Sequence, residues 1–551
     1  DLAIALNSGS MVVPVREEFT RTVSASLGTD TVRSGVIASL AGVSIVAFFM
    51  IVYYHGAGLI SVICLALNAF MILGAMAYFG MTLTLPGIAG LILTMGMAVD
   101  ANVLIFERIR EEKSLGHTIA TSVDSGFRRA AITILDANLT TLIAAAVLMQ
   151  FGTGPIEGFA ITLSVGVITS MYSALIIGRA LFDFSLSRNY FKNVSMFSIF
   201  RQTPKIPFLN MRYYAFALSG ALILIGIGIF VSRGMDNFGV DFQQGTNLML
   251  RIENQDPVDV GGVREVLTAG GFNNPVVQEI SSADGEVINM FNIRVGDVTR
   301  EALKEPADTG SAAFQTVADR IREALAPLSA QGDMTGVVVE DEQTVGPAVG
   351  AQLRWDALNA VFWAMVFIII YVWIRFELRY AVGAVVALFH DVLIVMGIFS
   401  LLGGYISMNV IAALLTILGY SINDTIVVFD RVREDIQLHR GKGIKFITIL
   451  NGAVNATLGR TLLTSLTTLF VVVVLAVFGG GAINDFALVL LIGVIFGTYS
   501  SIFVASALVY LMQGKRDQTP APRSKRQVAD ETKDSKKSAA KRRPRKGEAT
   551  A

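Results

Sequence analysis

Apolar stretches of about 20 residues recur along the chain, and each is long enough to cross a lipid bilayer as a helix. Eleven are present, at residues 36–53, 59–79, 83–106, 130–151, 156–181, 213–231, 358–374, 380–402, 408–429, 454–478 and 483–512. With 53% hydrophobic and only 16% charged residues among 551, the composition excludes an ordinary soluble globular protein. The sequence predicts a mainly α-helical, polytopic membrane protein.

The distribution of Lys and Arg predicts the orientation of these spans. Connections rich in the two residues alternate to one side, at 108–129, 179–212, 375–379, 431–445 and after 513. By the positive-inside rule this side is cytoplasmic. An odd number of spans with a cytoplasmic C-terminus places the first residue outside, so we expect one further span upstream and twelve spans in the parent protein.

The spans divide the chain into predicted domains. These are a remnant of a first extracytoplasmic domain (1–30), five spans (31–182), a cytoplasmic linker (183–212), one span (213–232), an extracytoplasmic domain (233–352), five spans (353–513) and a tail (514–551). The tail carries 13 basic and 5 acidic residues and few large apolar ones, which is typical of disorder. We expect it to anchor the topology, with attraction to anionic lipid or ribosomal RNA as the alternative.

The extracytoplasmic segment is acidic, with 19 acidic and 7 basic residues between positions 234 and 350. Strand-like patterns at 246–253, 275–281, 287–295 and 337–341 enclose helical patterns at 258–269 and 312–326, and this βαββαβ order predicts a small α+β ferredoxin-like domain. It carries no His/Cys cluster, nucleophile motif or Gly-rich phosphate loop, and Cys64 is the only cysteine of the chain. We therefore expect a binding or mechanical module, without metal site, cofactor or enzyme activity.

An internal repeat relates the two halves of the chain. Residues 96–111 match residues 419–434 at a constant offset, and a second block, 139–173, matches 466–500. Both copies enter the membrane from the same side, so we predict two parallel pseudo-repeats related by an axis along the membrane normal. Binding sites are expected at the interface between the repeats.

Three charged residues lie inside predicted spans at a similar depth. Asp100 and Asp424 each lie about two helical turns before the basic end of their span, and Arg460 lies about two turns into a span that starts at that end. A charge at the centre of a span costs roughly 2.5–3.5 kcal/mol on insertion scales, so each needs a partner or a function. Two carboxylates beside one permanent base leave one carboxylate able to load and release a proton. The sequence thus predicts a proton relay, with a fixed ion pair between Arg460 and one aspartate as the alternative.

Further polar residues within spans have two readings each. His390 and Asp391 either take part in the function or form hydrogen bonds between helices. Asp136 either extends the charged layer or forms a local ion pair with Arg128 and Arg129. The Thr464 hydroxyl either holds the Arg460 side chain or bonds to the backbone of its own helix.

Two motifs of the first half, residues 85–90 (LPGIAG) and 96–102 (GMAVDAN), resemble SecD proteins. Five motifs of the second half resemble SecF proteins, at residues 344–347, 374–377, 390–391, 419–425 and 459–462. The chain is therefore similar to a fused SecD and SecF, of the resistance-nodulation-division superfamily. On this resemblance we expect these 551 residues to lack the first span and most of the large SecD outer domain, and Gln244 stands where the SecF pattern usually has Gly.

This resemblance implies a function and a set of residues. It implies an accessory of the Sec translocon channel complex in the bacterial cytoplasmic membrane, which uses the proton-motive force to promote late translocation of an unfolded preprotein. It assigns the relay to Asp100, Asp424 and Arg460, with Asn102 and Asn423 among the supporting polar residues. Its expected partners include the lipid bilayer but no specific nucleic acid. The alternatives are a proton-coupled exporter of small molecules or lipids and a membrane assembly factor without ion flux.

Overall fold

A computed structural model describes residues 19–152, 154–188, 190, 196–198, 200, 203–243, 245–254, 256–272, 275–280, 289–296, 317–330, 332–440 and 442–513. The predicted basic tail and most of the predicted N-terminal remnant lie outside these residues. Within them, eleven helices are long and apolar enough to cross a membrane. The prediction of an eleven-span, mainly helical protein is confirmed.

Five of these helices form the first half of the chain. They are α1 (Ala25–Tyr54), α2 (Gly56–Tyr78), α3 (Leu85–Ser114), α4 (Ile119–Phe151) and α5 (Ile156–Ser187). The first turn of α3 shows why it begins at Leu85: the Thr84 hydroxyl accepts a hydrogen bond from the Gly87 amide at 3.1 Å, and Pro86 lies in that turn. Helix α3 continues several residues beyond its apolar stretch, and its charged end carries ion pairs between Arg108 and Glu111 and between Arg110 and Glu107.

Within the described residues, the second half contains the other six spans and two helices of nine and ten residues, besides the four-residue turn Val240–Gln243. In chain order they are α6 (Arg212–Arg233), α7 (Val260–Ala269), α8 (Val317–Leu325), α9 (Pro347–Arg375), α10 (Leu378–Leu401), α11 (Met408–Leu438), α12 (Phe446–Phe478) and α13 (Ile483–Met512). Helices α7 and α8 belong to a sheet domain outside the bundle. The ends of the bundle next to this domain are called the domain side, and the other ends are called the basic side.

The sheet domain has five strands: β1 (Phe19–Val23), β2 (Gly245–Ile252), β3 (Val276–Ile280), β4 (Met290–Val295) and β5 (Val337–Val345). They are ordered β1-β5-β2-β4-β3, and every neighbouring pair is antiparallel. Leu250, Phe291 and Ile321 are fully buried in its core. Strands β2 to β5 with α7 and α8 have the predicted ferredoxin-like order.

Strand β1 was not predicted from the sequence. It comes from the segment before α1, and it pairs with β5 from Phe19 opposite Val345 to Val23 opposite Asp341. The Ser24 amide then donates to the Glu340 carbonyl at 2.8 Å. A five-residue strand whose partner lies more than 300 positions away leaves no local signal of its pairing. As a result, the start of the first half is part of the second half's sheet.

Equivalent distortions occur in the last helix of each half. Helix α5 is interrupted by a π-helical turn at Ser173–Ile177, and α13 by one at Ser501–Ala505. The two turns lie at matching places in the repeat, within one residue. Because π-helical turns are rare, their occurrence at matching places in both halves supports the predicted relation between the halves.

Candidate functional site between the two repeats

Equivalent residues of the two repeats contact each other along the centre of the bundle. On the domain side, the rings of Phe159 and Phe486 pack edge to face with centroids 5.2 Å apart. Within the first half, α3 packs closely against the same ring, because a Cβ atom added at Gly90 would lie 2.8 Å from Phe159. Contact between equivalent residues is the property of a two-fold axis. The predicted axis along the bundle therefore passes between these two rings.

A second contact on this axis lies in the middle of the bundle. The Asn423 side-chain amide of α11 donates to Asp100 Oδ2 of α3 at 2.5 Å, and these residues are 323 positions apart. They are equivalents in the repeat, so the symmetry places a carboxylate in one half against an amide in the other. Among the described residues, the second oxygen, Asp100 Oδ1, is buried and has no hydrogen-bond partner.

A third set of contacts lies on this axis at the basic side of the bundle. Arg108 Nη2 pairs with Glu434 Oε1 at 2.8 Å, and Arg431 Nη1 pairs with Glu111 Oε1 at 2.7 Å. Arg108 is equivalent to Arg431 and Glu111 to Glu434, so the two ion pairs are reciprocal. They join α3 to α11 below the polar layer. Each pair is partly exposed, with side-chain accessibilities between 16% and 39%, so each contributes modest stability.

Asp424 lies one residue after Asn423 and faces α12. It is 5% exposed, and its carboxylate receives long hydrogen bonds from Thr464 at 3.5 Å and Ser465 at 3.4 Å. Ser465 also shares a 2.6 Å hydrogen bond with Thr498 of α13. The carboxylate therefore lies in a shell of hydroxyl groups rather than against a cation.

Arg460 lies on α12 and is the basic residue of this layer. Its guanidinium is within electrostatic range of Asp100, Asp424 and Glu107, yet in the described part of the chain it forms no direct ion pair. The alternative of a fixed pair between Arg460 and one aspartate does not match this arrangement. The charge instead acts on both carboxylates through space.

A small cavity adjoins the layer. Asp100, Asn423 and Arg460 line it together with Thr94 and Tyr420. Its volume is about 20 Å³, which is room for about one water molecule. The cavity thus adjoins two residues, Asp100 and Asn423, whose side chains each have one buried oxygen without a hydrogen-bond partner in the described part of the chain.

His390 and Asp391 form a second polar cluster in the second half. Asp391 is fully buried and accepts from His390 Nδ1 at 2.9 Å, Ser421 at 2.6 Å and Ser500 at 2.7 Å. His390 Nε2 bonds to Ser219 of α6 at 2.8 Å. The cluster thus ties α6, α10, α11 and α13 together, which is the helix-to-helix bonding that was one of its two readings. Ser421 joins it to the turn of α11 before Asn423.

Asp136 has a different partner from the predicted one. The local ion pair with Arg128 and Arg129 is wrong: Asp136 pairs with Arg375 at 2.5 Å and accepts from the Tyr371 hydroxyl at 2.9 Å. Both partners lie at the end of α9, in the other half of the chain. Sequence proximity suggested the nearest arginines, but on α4 the side chain of Asp136 points across the interface to α9.

The remaining candidate residues make local bonds. Asn102 is buried and donates to the Ala98 carbonyl of its own helix at 3.3 Å. Thr464 donates to the Thr461 carbonyl at 3.0 Å, the backbone bond that was one of its two readings, and its hydroxyl also lies beside Asp424. Ser421 and Ser500 were not singled out from the sequence. For Ser421 the sequence did contain a signal. The equivalent residue of the first repeat is Ala98, so only the second repeat has a polar side chain at this position.

Comparison with known proteins agrees with this architecture. A family model described as protein export membrane protein SecD/SecF, C-terminal, matches residues 9–187 and 328–515. The chain belongs to the SecD/SecF family. The two matched segments are the two repeats, and the residues between them include most of the sheet domain.

Relatives with both halves in one chain match along almost the whole length. The protein translocase subunit SecDF of Brucella abortus is 35% identical over 525 residues, which cover 95% of this chain and 66% of the relative. SecDF of Thermus thermophilus is 37% identical over 520 residues, covering 94% and 66%. A crystal structure of SecDF from Thermus thermophilus, described as a translocon-associated membrane protein, superposes with a TM-score of 0.81 at 36% identity, covering 93% of this chain and 67% of that one. The chain thus spans about two thirds of the length of these SecDF relatives.

Proposed function

We propose that this protein assists the Sec translocon and uses the proton-motive force to promote late translocation of unfolded preproteins across the bacterial cytoplasmic membrane. The observation that carries the proposal is the polar layer on the repeat axis. Asp100, Asp424 and Arg460 lie there, at the interface between the two halves. Family membership supports the export role, since the SecDF relatives are named as protein translocase subunits.

The layer has the features that proton coupling requires. One oxygen of Asp100 accepts from Asn423, and the Asp424 carboxylate has only long hydrogen bonds of 3.4 and 3.5 Å. Protonating either carboxylate weakens its attraction to Arg460. The interactions that hold the helices of the two halves in their present arrangement then become weaker. One charge moving through ~100 mV yields about 2.3 kcal/mol, which biases a two-state equilibrium without forcing it completely.

The orientation follows from charge. We place the basic side of the bundle and the C-terminus in the cytoplasm and the sheet domain on the outer face. On that face the sheet domain meets the emerging preprotein, and the bundle contacts the translocon and lipid. No covalent step, metal or cofactor is needed, because the proton gradient supplies the free energy.

The cavity beside Asp100 has room for about one water molecule, which is enough for the proposed transfer of protons. The exporter alternative differs in needing a separate site of about 300–1,000 Å³ for its solute. The assembly-factor alternative differs instead in its dependence on ionisation, which mutation can test.

The test is preprotein translocation into inverted membrane vesicles that carry the full gene product, with and without an imposed proton gradient. Asp100→Asn and Asp424→Asn keep the side-chain size and remove the ionisable group. We expect both variants to lose the stimulation by the gradient at normal expression. Asp183→Asn, an exposed aspartate at the basic side, is the matched control and keeps it. Full stimulation in both layer variants would leave the assembly factor as the function.

A further inference from the structure

A buried carboxylate joins the sheet domain to the helix that carries Asn423 and Asp424. Asp241 lies in the short helical turn Val240–Gln243 directly before β2, and it is 7% exposed. Its Oδ2 accepts a hydrogen bond from the Met408 amide at 2.9 Å, and its Oδ1 accepts from the Gln343 side chain at 2.5 Å. Met408 is the first residue of α11, and Gln343 lies on β5. One side chain thus holds a membrane helix and a strand together.

The backbone around Asp241 is tied to the same place. The Gly239 amide donates to the Ile406 carbonyl at 2.8 Å, and the Ile406 amide donates to the Asn237 carbonyl at 2.7 Å. Phe238 and Ile406 form a parallel β-bridge. A Cβ at position 239 would lie 3.2 Å from the Ile406 carbonyl oxygen, so the close approach favours glycine. The segment before the sheet and the segment before α11 therefore form one joint.

A third tie comes from the sheet itself. Arg294 on β4 donates to the Phe238 carbonyl at 2.6 Å, and its guanidinium stacks on the Tyr405 ring at 4.0 Å from the centroid. Tyr405 lies in the loop before α11. Strand β4 thus contacts this loop directly through Arg294, and β5 is linked to the start of α11 through Gln343 and Asp241.

The position of Asp241 suits a rigid connection. The free amides at the start of a helix carry partial positive charge, so a buried carboxylate is stable there. Ser407 already caps α11 through the Val410 amide, and Asp241 satisfies the Met408 amide in addition. In the first half, α3 is capped by the adjacent Thr84, a residue of its own membrane segment. The carboxylate from the sheet domain gives α11 an anchor outside the membrane.

Helix α11 carries this anchor to the polar layer without interruption. Met408 and Asp424 are 16 residues apart on one continuous helix, a distance of about 24 Å at 1.5 Å per residue. A helix transmits axial displacement because its backbone hydrogen bonds keep its length. A shift of α11 at Asp424 is therefore delivered at Met408.

We infer that Asp241 is a positioning residue that couples movement of α11 to movement of the sheet domain. The inference rests on the proposed function for its biological meaning, but not for its test. Loss of the Asp241 link leaves the polar layer intact and disconnects it from the domain that meets the preprotein.

The test measures domain movement directly. Spin labels at Arg264→Cys on α7 and Phe79→Cys after α2, in a Cys64→Ser background, report the distance between sheet domain and bundle. Both label sites are exposed. We expect Asp424→Asn, which removes one charge from the layer, to shift this distance distribution. In Asp241→Ala protein, the same Asp424→Asn change should leave the distribution unshifted.

Two further variants separate the link from the charge. In Asp241→Asn, the amide oxygen can accept from Met408 and its nitrogen can donate to a flipped Gln343, so coupling should be retained. Gln343→Ala removes the bond between Asp241 and the sheet only, and it should cause the same loss of coupling as Asp241→Ala. It therefore tests the link even if Asp241→Ala protein does not assemble. Asp236→Asn, a nearby exposed aspartate, is the control. Translocation should fall about fivefold or more in the uncoupled variants, the lower range of common site-to-site couplings.

The outcomes distinguish this inference from the proposed function. A shift that persists in Asp241→Ala and Gln343→Ala, or no shift with Asp424→Asn in the otherwise unaltered protein, overturns the coupling role. If the shift depends on Asp241 while Asp424→Asn translocates normally, the coupling stands and the proposed proton-driven function fails.

Discussion

Asn423 donates a hydrogen bond to Asp100 at 2.5 Å, and the two residues occupy the same position in the two repeats of the chain. The pair lies on the axis that relates the halves, between the Phe159–Phe486 contact and the reciprocal ion pairs. An exact repeat would place two aspartates or two asparagines here. Asparagine at position 423 makes this contact a hydrogen bond, where a second aspartate would repel Asp100. The second carboxylate of the layer lies one residue further along the chain, at Asp424.

The Asn423 contact gives the first prediction. Asn423→Ala removes a donor to a buried carboxylate, a bond worth about 1.5–3 kcal/mol. Gradient-stimulated translocation should fall roughly tenfold, since ~1.4 kcal/mol corresponds to that factor. Asn102→Ala is the matched control, because the Asn102 bond stays within its own helix. Equal losses in both variants would show that the contact across the axis has no special role.

The reciprocal ion pairs give the second prediction. Arg108→Ala and Glu434→Ala should each lower the stability of the protein, and the double variant should lose less than the sum. Because the pair is partly exposed, the coupling energy should be about 0.2–1 kcal/mol. Thermal unfolding in detergent measures it. The Arg431 and Glu111 pair should give a similar value, since the repeat makes it equivalent, and strict additivity at both pairs would contradict their assigned role.

The cluster around Asp391 gives the third prediction. Asp391→Ala leaves the His390, Ser421 and Ser500 donors without their acceptor inside the bundle, and such losses cost about 3–5 kcal/mol. Ser500→Ala removes one donor of three and should cost about 1 kcal/mol. The apparent melting temperature should therefore fall clearly more for Asp391→Ala than for Ser500→Ala. If Asp391→Ala melts like the unaltered protein, the cluster does not hold the four helices together.

Much of this architecture could be predicted from the sequence because its signals are local or repeated. Apolar length alone identifies the spans, and the offset between residues 96–111 and 419–434 predicts the axis. Asp100, Asp424 and Arg460 stand out because charged residues are rare in such surroundings, and the structure brings all three to one layer.

Other features depend on contacts that sequence spacing does not encode. Asp136 pairs with Arg375 across the repeat interface, although two arginines lie nearer in the chain. Strand β1 pairs with β5, which is the last strand of the sheet domain along the chain. Asp241 lies in the SecF-like segment that contains Gln244, but its contacts with Met408 and Gln343 are visible only in the structure. In each case the partner belongs to a distant part of the chain.

Proton uptake by the purified protein tests the central claim most directly. The full gene product is reconstituted in liposomes containing a pH-sensitive dye, and an imposed proton gradient is applied in the presence of an unfolded polypeptide. The account predicts uptake above that of empty liposomes for the unaltered protein and for Asp183→Asn, and none above that level for Asp424→Asn. Uptake in Asp424→Asn equal to that of the unaltered protein would contradict the claim that this layer carries the proton.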